Sequence, residues 1–513
     1  MQHGITEVFG HLALALLMLL VVILIARAVV AGTKYSPILI IVVFGLTLGF
    51  VLELTPIVTE GLVEFPIIDL MGKTTIIALV VTFFVGGQKL RNTFGKPKEA
   101  KKNDVQLNEE EIMLGTGGTQ FIFLTRAFFI LIGVQSIFFI IFPPAKPGLL
   151  GDFYPLIAFF GIAGSIILID SKAKIDNKRH YLFRGVTEIV LIIVVLLLAK
   201  LIAGEIARVI ALPQIFFAML LASGLGMVFS DWRAGPTIRS LLFGGIPMVL
   251  AGVFIVGGTR LLGALELNGM VQVMAYGFCG QLFWMFVGIS LLVFIGKSNH
   301  INILAPGMAG SLSHSGLTGA CTAGDLGEVA AERAPVMINI PFFGHIFVFT
   351  ILALSVENLE LLVVPSLIVV ALGVGLTCLS LKTLRNAKGE EKREISGLML
   401  FSLGWQLVAV FGGFTLLHFA GMNLENAAMA NSSAISHFGL FAAVQGGMFE
   451  SVSSSVSSVG LISFIFAMPF LIHPVVFGMF GKAMSNKGEM PKKTLAALAF
   501  MGAIGVLLCL VFL

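Results

Sequence analysis

The residues best suited to binding a small polar ligand lie in one stretch, 309–325, which is rich in Gly, Ser, Thr and Ala. Glycine lets the backbone break and lets a ligand approach closely. Hydroxyl groups and freed carbonyl oxygens can coordinate a cation, and amide groups at a helix N-terminus can hold an anion. We therefore expect a site here for a small anion and a coupling Na⁺ or H⁺. The candidate ligands are Ser311, Ser313, His314, Ser315, Gly316, Thr318, Thr322 and Asp325.

An alternative interpretation of 309–325 is a seam of small residues that lets two helices pack closely. His314 and Asp325 favour the binding site, because neither would serve a purpose in a seam. Histidine is also the residue type that changes its charge near neutral pH, so His314 could couple binding to a proton. His345 and His437 could extend this to a metal site, but no ligand spacing supports one and we expect no metal.

Two glycine pairs are each followed by a polar and then a basic residue. The segment 86–89 reads Gly-Gly-Gln-Lys, and the segment 257–260 reads Gly-Gly-Thr-Arg. Helix breaks at both pairs would bring polar groups from two parts of the chain to one point. Alternatively, Lys89 and Arg260 lie at helix ends and extend to the membrane interface. The candidate binding residues here are Gly86, Gly87, Gln88, Gly257, Gly258, Thr259 and Arg260.

Polar residues inside apolar runs are costly and are usually functional. Arg126 lies early in the run 121–143 and could hold a substrate carboxylate, or it could end a helix at the cytoplasmic face. Glu188 is similarly shallow in its own run. Asn339, with Pro341 and His345, indicates a break in the run 336–356, and we expect Asn339 to neighbour the site.

The composition of the 513 residues predicts that lipid is the main solvent of this chain. Hydrophobic residues make up 57% and charged residues only 12%, against the roughly 25% charge of soluble proteins. The net charge is +4 and the basic residues sit in short loops, so no nucleic-acid partner is implied. The four cysteines lie in apolar segments without metal-ligand spacing and are interpreted as buried thiols.

Apolar runs long enough to span a membrane recur along the whole chain. A transmembrane helix needs about 20 mainly apolar residues. The first run has no basic residue before it and is interpreted as a retained helix rather than a signal peptide. We predict an all-α polytopic protein with about 14 transmembrane helices. The runs are 9–30, 36–54, 74–90, 121–143, 154–170, 185–203, 213–230, 243–263, 271–296, 336–356, 361–381, 397–419, 459–480 and 494–513.

The distribution of Lys and Arg predicts the orientation. Basic residues collect after residue 90, after residue 170, at 382–393 and at 482–493, whereas the loop 52–73 is acidic. Cytoplasmic loops carry the excess of Lys and Arg. We therefore expect a multi-pass protein of the cell (inner) membrane whose N-terminus is extracytoplasmic.

Two further stretches, 302–324 and 433–450, are long but rich in Gly and Ser. Counting either as a full span would put a basic cluster outside the cell. Non-helical backbone at membrane depth is tolerated where it is buried or lines a cavity. We predict that both are re-entrant or broken helices. The alternative is that the charge bias misleads at one loop.

The chain also resembles itself. Segment 82–90 matches 253–261, segment 48–51 matches 225–228, and the Ala-Gly-Ser of 163–165 recurs at 309–311. An odd number of helices separates the copies, which predicts repeats inverted in the membrane. Chance recurrence in such a composition is the alternative.

These matches give four regions. We predict an extra N-terminal helix in 1–33 and a five-helix repeat in 34–204 with a cytoplasmic insertion at 91–119. An inverted second repeat in 205–357 contains the re-entrant stretch 302–324. The C-terminal membrane region is 358–513, where Pro365 and Phe411-Gly412-Gly413 indicate either a decayed third copy or only recurrent composition.

Five-plus-five inverted repeats with a Gly/Ser-rich re-entrant element resemble the sodium/glutamate symporter family and related ion-coupled transporters. The residues that carry the resemblance are Ala309-Gly310-Ser311 and the segment 315–320, Ser-Gly-Leu-Thr-Gly-Ala. The family's Gly-Gly-x-Gly signature is absent there. The resemblance covers 36–357 and implies sodium coupling and an amino-acid or carboxylate substrate.

The sequence thus predicts a secondary active transporter that moves a small polar or anionic solute, coupled to Na⁺ or H⁺. The expected partners are the substrate, the coupling cation and the lipid bilayer; no other cofactor is expected, and a homo-oligomer is left open. One alternative is an ion-translocating or scaffold subunit of a larger complex. An intramembrane enzyme would need paired carboxylates, or His beside a nucleophile, near one interface. The sequence offers no convincing pair, so we do not expect an enzyme.

Overall fold

The structure is a computed structural model that describes most of the chain as helix. The described residues are 2–31, 37–55, 66–94, 117–144, 148–170, 178–206, 214–230, 232, 235–259, 261–262, 269–312, 315–322, 326–339, 363–435 and 472–512. Within these ranges no β-strand occurs, and a single isolated bridge joins His300 to Glu489.

The structure describes ten helices in the N-terminal half. They are α1 (Gln2–Val30), α2 (Pro37–Glu53), α3 (Pro66–Lys73), α4 (Thr75–Phe94), α5 (Gly117–Ile141), α6 (Tyr154–Asp170), α7 (Lys178–Ile206), α8 (Gln214–Val228), α9 (Pro236–Ser240) and α10 (Ile246–Gly258). A 3₁₀ turn, Gly148–Phe153, precedes α6. Proline begins α2, α3 and α9, where its missing N–H costs no helical hydrogen bond.

The structure describes ten more helices in the C-terminal half. They are α11 (Met270–Ser290), α12 (Ile301–Leu312), α13 (Ser315–Thr322), α14 (Glu328–Asn339), α15 (Val363–Ala387), α16 (Glu391–Leu407), α17 (Gly413–Phe419), α18 (Leu424–Ile435), α19 (His473–Ser485) and α20 (Lys492–Val511).

Three π-helical turns interrupt longer helices. They are Leu241–Gly245 between α9 and α10, Leu291–Ile295 after α11, and Val408–Gly412 between α16 and α17. A π turn inserts a residue into the α-helical register and frees carbonyl groups from their usual partners. The sequence analysis did not predict these turns.

Ten helices in the described part of the chain are long and apolar enough to cross a membrane. They begin near residues 6, 70, 121, 150, 181, 236, 270, 364, 391 and 492. The chain is an all-α, multi-pass membrane protein, as its composition predicts. Two of the fourteen predicted runs form shorter helices, since α2 has 17 residues and α8 has 15. Much of the runs 336–356 and 459–480 lies outside the described residues.

Of the stretch 302–324, the structure describes two short helices. They are α12, with 12 residues, and α13, with 8 residues, on either side of residues 313–314, which lie outside the described part. Both helices are far shorter than the roughly 20 residues needed to span a membrane. Of the second such stretch, 433–450, only the first three residues are described, at the end of α18.

The helix predicted to begin at residue 336 begins earlier, at Glu328. Its first turns carry Glu332 and Arg333, which a search for apolar runs excludes, and it continues through Pro335. The helix α14 packs against α4 on one side and α12 on the other, and α12 packs in turn against α16. This arrangement brings the predicted site residues of different segments together.

Candidate functional site

The helices α4 and α8 touch through their backbones. A methyl group added to Gly87 would overlap the carbonyl oxygen of Ser223, and one added to Gly226 would overlap the carbonyl oxygen of Phe84. Only glycine therefore fits at either position. The helix α4 continues without interruption through Gly86 and Gly87, so of the two interpretations the helix break does not apply at this glycine pair. The glycines serve close packing instead.

The helices α2 and α10 touch in the same way. A methyl group at Gly49 would overlap the carbonyl oxygen of Ile255, and one at Gly258 would overlap the carbonyl oxygen of Leu46. At this second glycine pair a helix ends, because the last residue of α10 is Gly258. Thr259 follows as the C-cap, and its hydroxyl donates to the carbonyl oxygen of Val256 over 2.8 Å.

These two helix contacts correspond residue by residue. In the match of 82–90 with 253–261, Gly87 corresponds to Gly258 and Phe84 to Ile255. When the match of 48–51 with 225–228 is extended back by three residues, Leu46 corresponds to Ser223 and Gly49 to Gly226. Every residue of the α4–α8 contact therefore has a counterpart in the α2–α10 contact. Each matching segment thus packs on a helix of the other half of the chain.

Asn339 lies at the end of α14 against Gly86 of α4. A methyl group at Gly86 would overlap its amide nitrogen. That nitrogen donates to the carbonyl oxygens of Pro335 over 2.8 Å and Phe83 over 3.4 Å. Asn339 is only 3% exposed, and its Oδ1 is buried without a hydrogen-bond partner in the described part of the protein. Asn339 is therefore a direct neighbour of the first glycine pair.

Gln88 and Lys89 are both engaged at the end of α4. The Gln88 amide donates to the carbonyl oxygens of Phe229, over 2.9 Å, and Trp232, which ties α4 to the end of α8. The ammonium group of Lys89 lies 3.3 Å from a carboxylate oxygen of Glu332 on α14, and both side chains are largely exposed. Gln88 thus joins two helices, and Lys89 forms an ion pair five residues before the end of α4.

Ser311 is fully buried near the end of α12 and its hydroxyl donates within the helix, to the carbonyl oxygen of Met308 over 3.4 Å. Beside it, Gly310 faces Ser402 of α16 and Met337 of α14; a methyl group there would come within 2.7 Å of the Ser402 hydroxyl. The end of α12 is therefore wedged between α14 and α16. Small residues are needed at this point whether or not a ligand binds.

The other predicted residues of 309–325 are only partly described. Thr318 is half-buried on α13, which packs against α12, α14 and α2. Ser315, Gly316 and Thr322 also belong to α13, but their side chains are outside the described part. The residues wholly outside the described part are Arg260, Ser313, His314 and Asp325.

Arg126 is completely buried about two and a half turns into α5, so it does not end a helix at the membrane face. Its guanidinium donates to the carbonyl oxygen of Leu168 over 2.6 Å and lies 3.4 Å from the Ser240 hydroxyl. It also lies over the ring of Phe123, 5.7 Å from the centroid. Arg126 joins α5 to α6 and α9, whereas the partners of Asn339 are on α4 and α14.

Glu188 has a role that sequence reasoning missed. Its buried carboxylate accepts hydrogen bonds from the backbone N–H groups of Gly235, Thr237 and Ile238, the last two over 3.0 and 3.1 Å. These groups form the N-terminus of α9, which attracts negative charge. In the sequence, the Gly-Pro at the start of α9 was the available signal for this helix N-terminus. The protein's own carboxylate thus occupies this anion-binding helix end.

No protein-family model, curated protein or solved structure was found to match this chain.

Proposed function

We propose that this protein is a secondary active transporter that moves a small polar or anionic solute, such as an amino acid or a carboxylate, by alternating access coupled to Na⁺ or H⁺. The observation that supports the proposal most is the pair of equivalent contacts, α2 with α10 and α4 with α8. Two halves related by a two-fold axis exchange contacts in this reciprocal way. Internal two-fold repeats are a common basis of alternating access.

The repeats are 34–204 and 205–357, and their axis lies in the membrane plane. This inversion follows from the odd number of helices between the copies and from the basic loops that set the orientation. During transport one repeat rocks against the other. The backbone contacts at Gly49, Gly87, Gly226 and Gly258 suit such a motion, because they carry no side chains that interlock.

The solute and the coupling cation bind where α4, α12, α13 and α14 meet. The buried Oδ1 of Asn339 supports this location, because a buried acceptor without a partner costs about 1–3 kcal/mol unless a ligand satisfies it. The hydroxyl of Ser311 belongs to α12, which packs against the helix of Asn339. The cation is Na⁺ or H⁺, and no other cofactor takes part.

Uptake into liposomes tests this proposal. Purified protein should accumulate a radiolabelled amino acid or dicarboxylic acid under an inward Na⁺ or H⁺ gradient, and Ser315→Leu should abolish the uptake. Ser396→Leu is the matched control, since the Ser396 hydroxyl bonds only to Lys392 of its own helix at an exposed position. An ionophore that dissipates the gradient should stop accumulation by the wild type and by Ser396→Leu.

Two results would count against a transporter of this class. No uptake across a broad panel of amino and carboxylic acids would favour a subunit of a larger complex. Equal uptake by wild type and Ser315→Leu would move the site away from α13.

A further inference from the structure

The connection that follows α11 is fastened to the connection that precedes α20. The N–H group of Ile301 donates to the carbonyl oxygen of Gly488 over 2.8 Å, and the N–H group of Met490 donates to the carbonyl oxygen of Asn299 over 3.0 Å. The helices α11 and α20 also pack against each other. The two connections therefore form one continuous surface at the end of this helix pair.

This surface carries four exposed lysines against one acidic residue. Its backbone pairing is antiparallel and includes the bridge between His300 and Glu489. Lys297 and Lys492 each lie three residues from that bridge, on the same side of it, so the pairing brings their backbones to the same end of the surface. The four lysines are Lys297, Lys487, Lys492 and Lys493, and the acidic residue is Glu489.

A third helix adds positive charge beside these lysines. A methyl group at Gly296 would meet the side chain of Leu381 at 3.3 Å, so the end of α15 lies beside the end of α11. Lys382, the next residue of α15, is exposed. The structure thus joins the start of the basic cluster 382–393 to the basic cluster 482–493, although about a hundred residues separate them in the sequence.

Exposed apolar side chains lie next to the lysines on the same helices. Phe294 and Ile295, shortly before Lys297, are each about half exposed. Leu379, shortly before Lys382, is exposed to the same degree. In a membrane such side chains contact acyl chains, and the neighbouring lysines extend their ammonium groups to the level of the lipid headgroups.

We propose that this surface binds the headgroup of an anionic phospholipid, with Lys297 and Lys492 contacting the phosphate. Clusters of lysine at the membrane end of a helix attract anionic headgroups, whereas a zwitterionic headgroup has no net charge to attract. The adjoining apolar side chains suit the acyl chains of the same molecule, which favours a lipid over a soluble anion. Lys382, Lys487 and Lys493 add to the positive potential. This binding does not rest on the proposed transport function.

The competing explanation is that the lysines serve only the helix ends and the orientation. Lys297 and Lys487 follow helix ends in left-handed backbone, with φ of 56° and 52°, and positive charge is favourable there. That explanation does not extend to Lys492 and Lys493. They occupy the first turn of α20, where positive charge opposes the helix dipole and no acidic residue offsets it. An anionic headgroup would relieve this repulsion.

The test titrates purified full-length protein in detergent with phosphatidylglycerol, or with phosphatidylcholine of the same acyl chains as the neutral control. Native mass spectrometry counts the bound lipid, and thermal unfolding measures its effect on stability. We expect phosphatidylglycerol to bind at least tenfold more tightly and to raise the melting temperature by about 2–3 °C relative to phosphatidylcholine. Equal binding of the two lipids would overturn the proposal.

Inorganic phosphate separates a lipid from a soluble ligand. It should leave the melting temperature unchanged at the same ionic strength, because it lacks the acyl chains. If phosphate raises the melting temperature as much as phosphatidylglycerol does, the ligand is a soluble anion and the assignment to a lipid is wrong.

Variants at exposed positions, which should fold like the wild type, locate the binding. Lys492→Gln should weaken phosphatidylglycerol binding about fivefold, and Lys297→Gln with Lys492→Gln about 20-fold, since each lysine near an anionic surface contributes about a factor of five. Lys492→Arg keeps the charge and should bind like the wild type. The matched control is Arg91→Gln, which removes one exposed positive charge near the end of α4 and should change binding less than about twofold. If Arg91→Gln and Lys492→Gln weaken binding equally, the attraction belongs to the overall charge and the proposed surface is wrong.

Discussion

At the scale of single residues, the buried polar groups are satisfied to different degrees. The Glu188 carboxylate accepts hydrogen bonds from three backbone N–H groups, so this charge is compensated within the protein. Arg126 donates to a backbone carbonyl group, but its Nε is buried without a hydrogen-bond partner in the described part of the chain. The amides of Asn339 and Asn431 each retain an idle oxygen. A compensated charge is costly to remove and not available to a ligand, so we assign Glu188 to structure.

The first prediction concerns Glu188. Glu188→Gln replaces one acceptor oxygen by an NH₂ group that faces backbone donors, and should destabilise the protein by about 3 kcal/mol. Thermal unfolding of the purified variant measures this. Glu205→Gln, near the exposed end of the same helix, is the control and should unfold like wild type. If both variants melt alike, the carboxylate does not hold the N-terminus of α9.

The second prediction concerns Asn339. Asn339→Ala removes the idle oxygen and should reduce solute uptake by roughly tenfold or more, which corresponds to about 1.4 kcal/mol of lost interaction. Its thermal stability should change little, because the carbonyl groups that it leaves behind belong to helices. Asn386→Ala, at an exposed position on α15, should transport normally. If Asn339→Ala loses stability and uptake together, Asn339 is a packing contact and not a binding residue.

At the scale of elements, glycine decides which helices can touch. Backbone contact requires a glycine at the crossing point, and the chain supplies one on each helix of both pairs, α2–α10 and α4–α8. Close approach of this kind is a main source of helix association in a membrane, where lipid removes the hydrophobic driving force. The four glycines therefore determine the arrangement of the central helices.

The third prediction follows from that contact. Gly226→Ala should destabilise the protein by about 1–3 kcal/mol through overpacking, and Gly49→Ala should do the same, because the two contacts are equivalent. Gly224 lies on the same helix with open space beside it. Gly224→Ala should be neutral or stabilise by up to about 1 kcal/mol, since alanine favours helix. Thermal unfolding of the three variants compares them, and a harmless Gly226→Ala would contradict the backbone contact.

Helix positions were predictable from the sequence to the extent that apolar runs set them. The end of α5 and the start of α20 fall within about two residues of the predicted bounds, because one apolar run ends at prolines and the other begins after lysines. The start of α14 was missed, since its first turns are charged. The π turns were missed too, because they depend on packing between distant segments and leave no periodic signal.

The candidate site was predictable in part for similar reasons. The types and spacing of residues identified 309–325, Asn339 and the glycine pairs, and the structure brings Asn339 against Gly86. Sequence alone did not distinguish a glycine that breaks a helix from one that lets another helix approach. It also placed Arg126 near a membrane face, because the helix begins at Gly117, before the apolar run does.

At the scale of the whole molecule, the reciprocal contacts are consistent with two different two-fold axes. An axis in the membrane plane inverts one half relative to the other, whereas an axis along the membrane normal leaves both in the same orientation. Both axes produce the contacts at Gly49, Gly87, Gly226 and Gly258. The distinction depends on which side of the membrane equivalent helix ends occupy.

The fourth prediction makes that distinction with two single cysteines at matching helix ends. Leu54 follows α2, and Ser230 follows α8. In a background with the four native cysteines replaced by alanine, Leu54→Cys should react with a membrane-impermeant maleimide only from outside the cell. Ser230→Cys should react only in inside-out vesicles, and both should react in detergent, which controls for burial.

The expected side of Ser230 follows from Gln88, which binds the end of α8 to the end of α4. The loop that follows α4 is basic, so the end of α8 belongs on the cytoplasmic side. If both cysteines are labelled from the same side, the two repeats are not inverted relative to each other. The proposed alternating access would then lose the symmetry on which it depends.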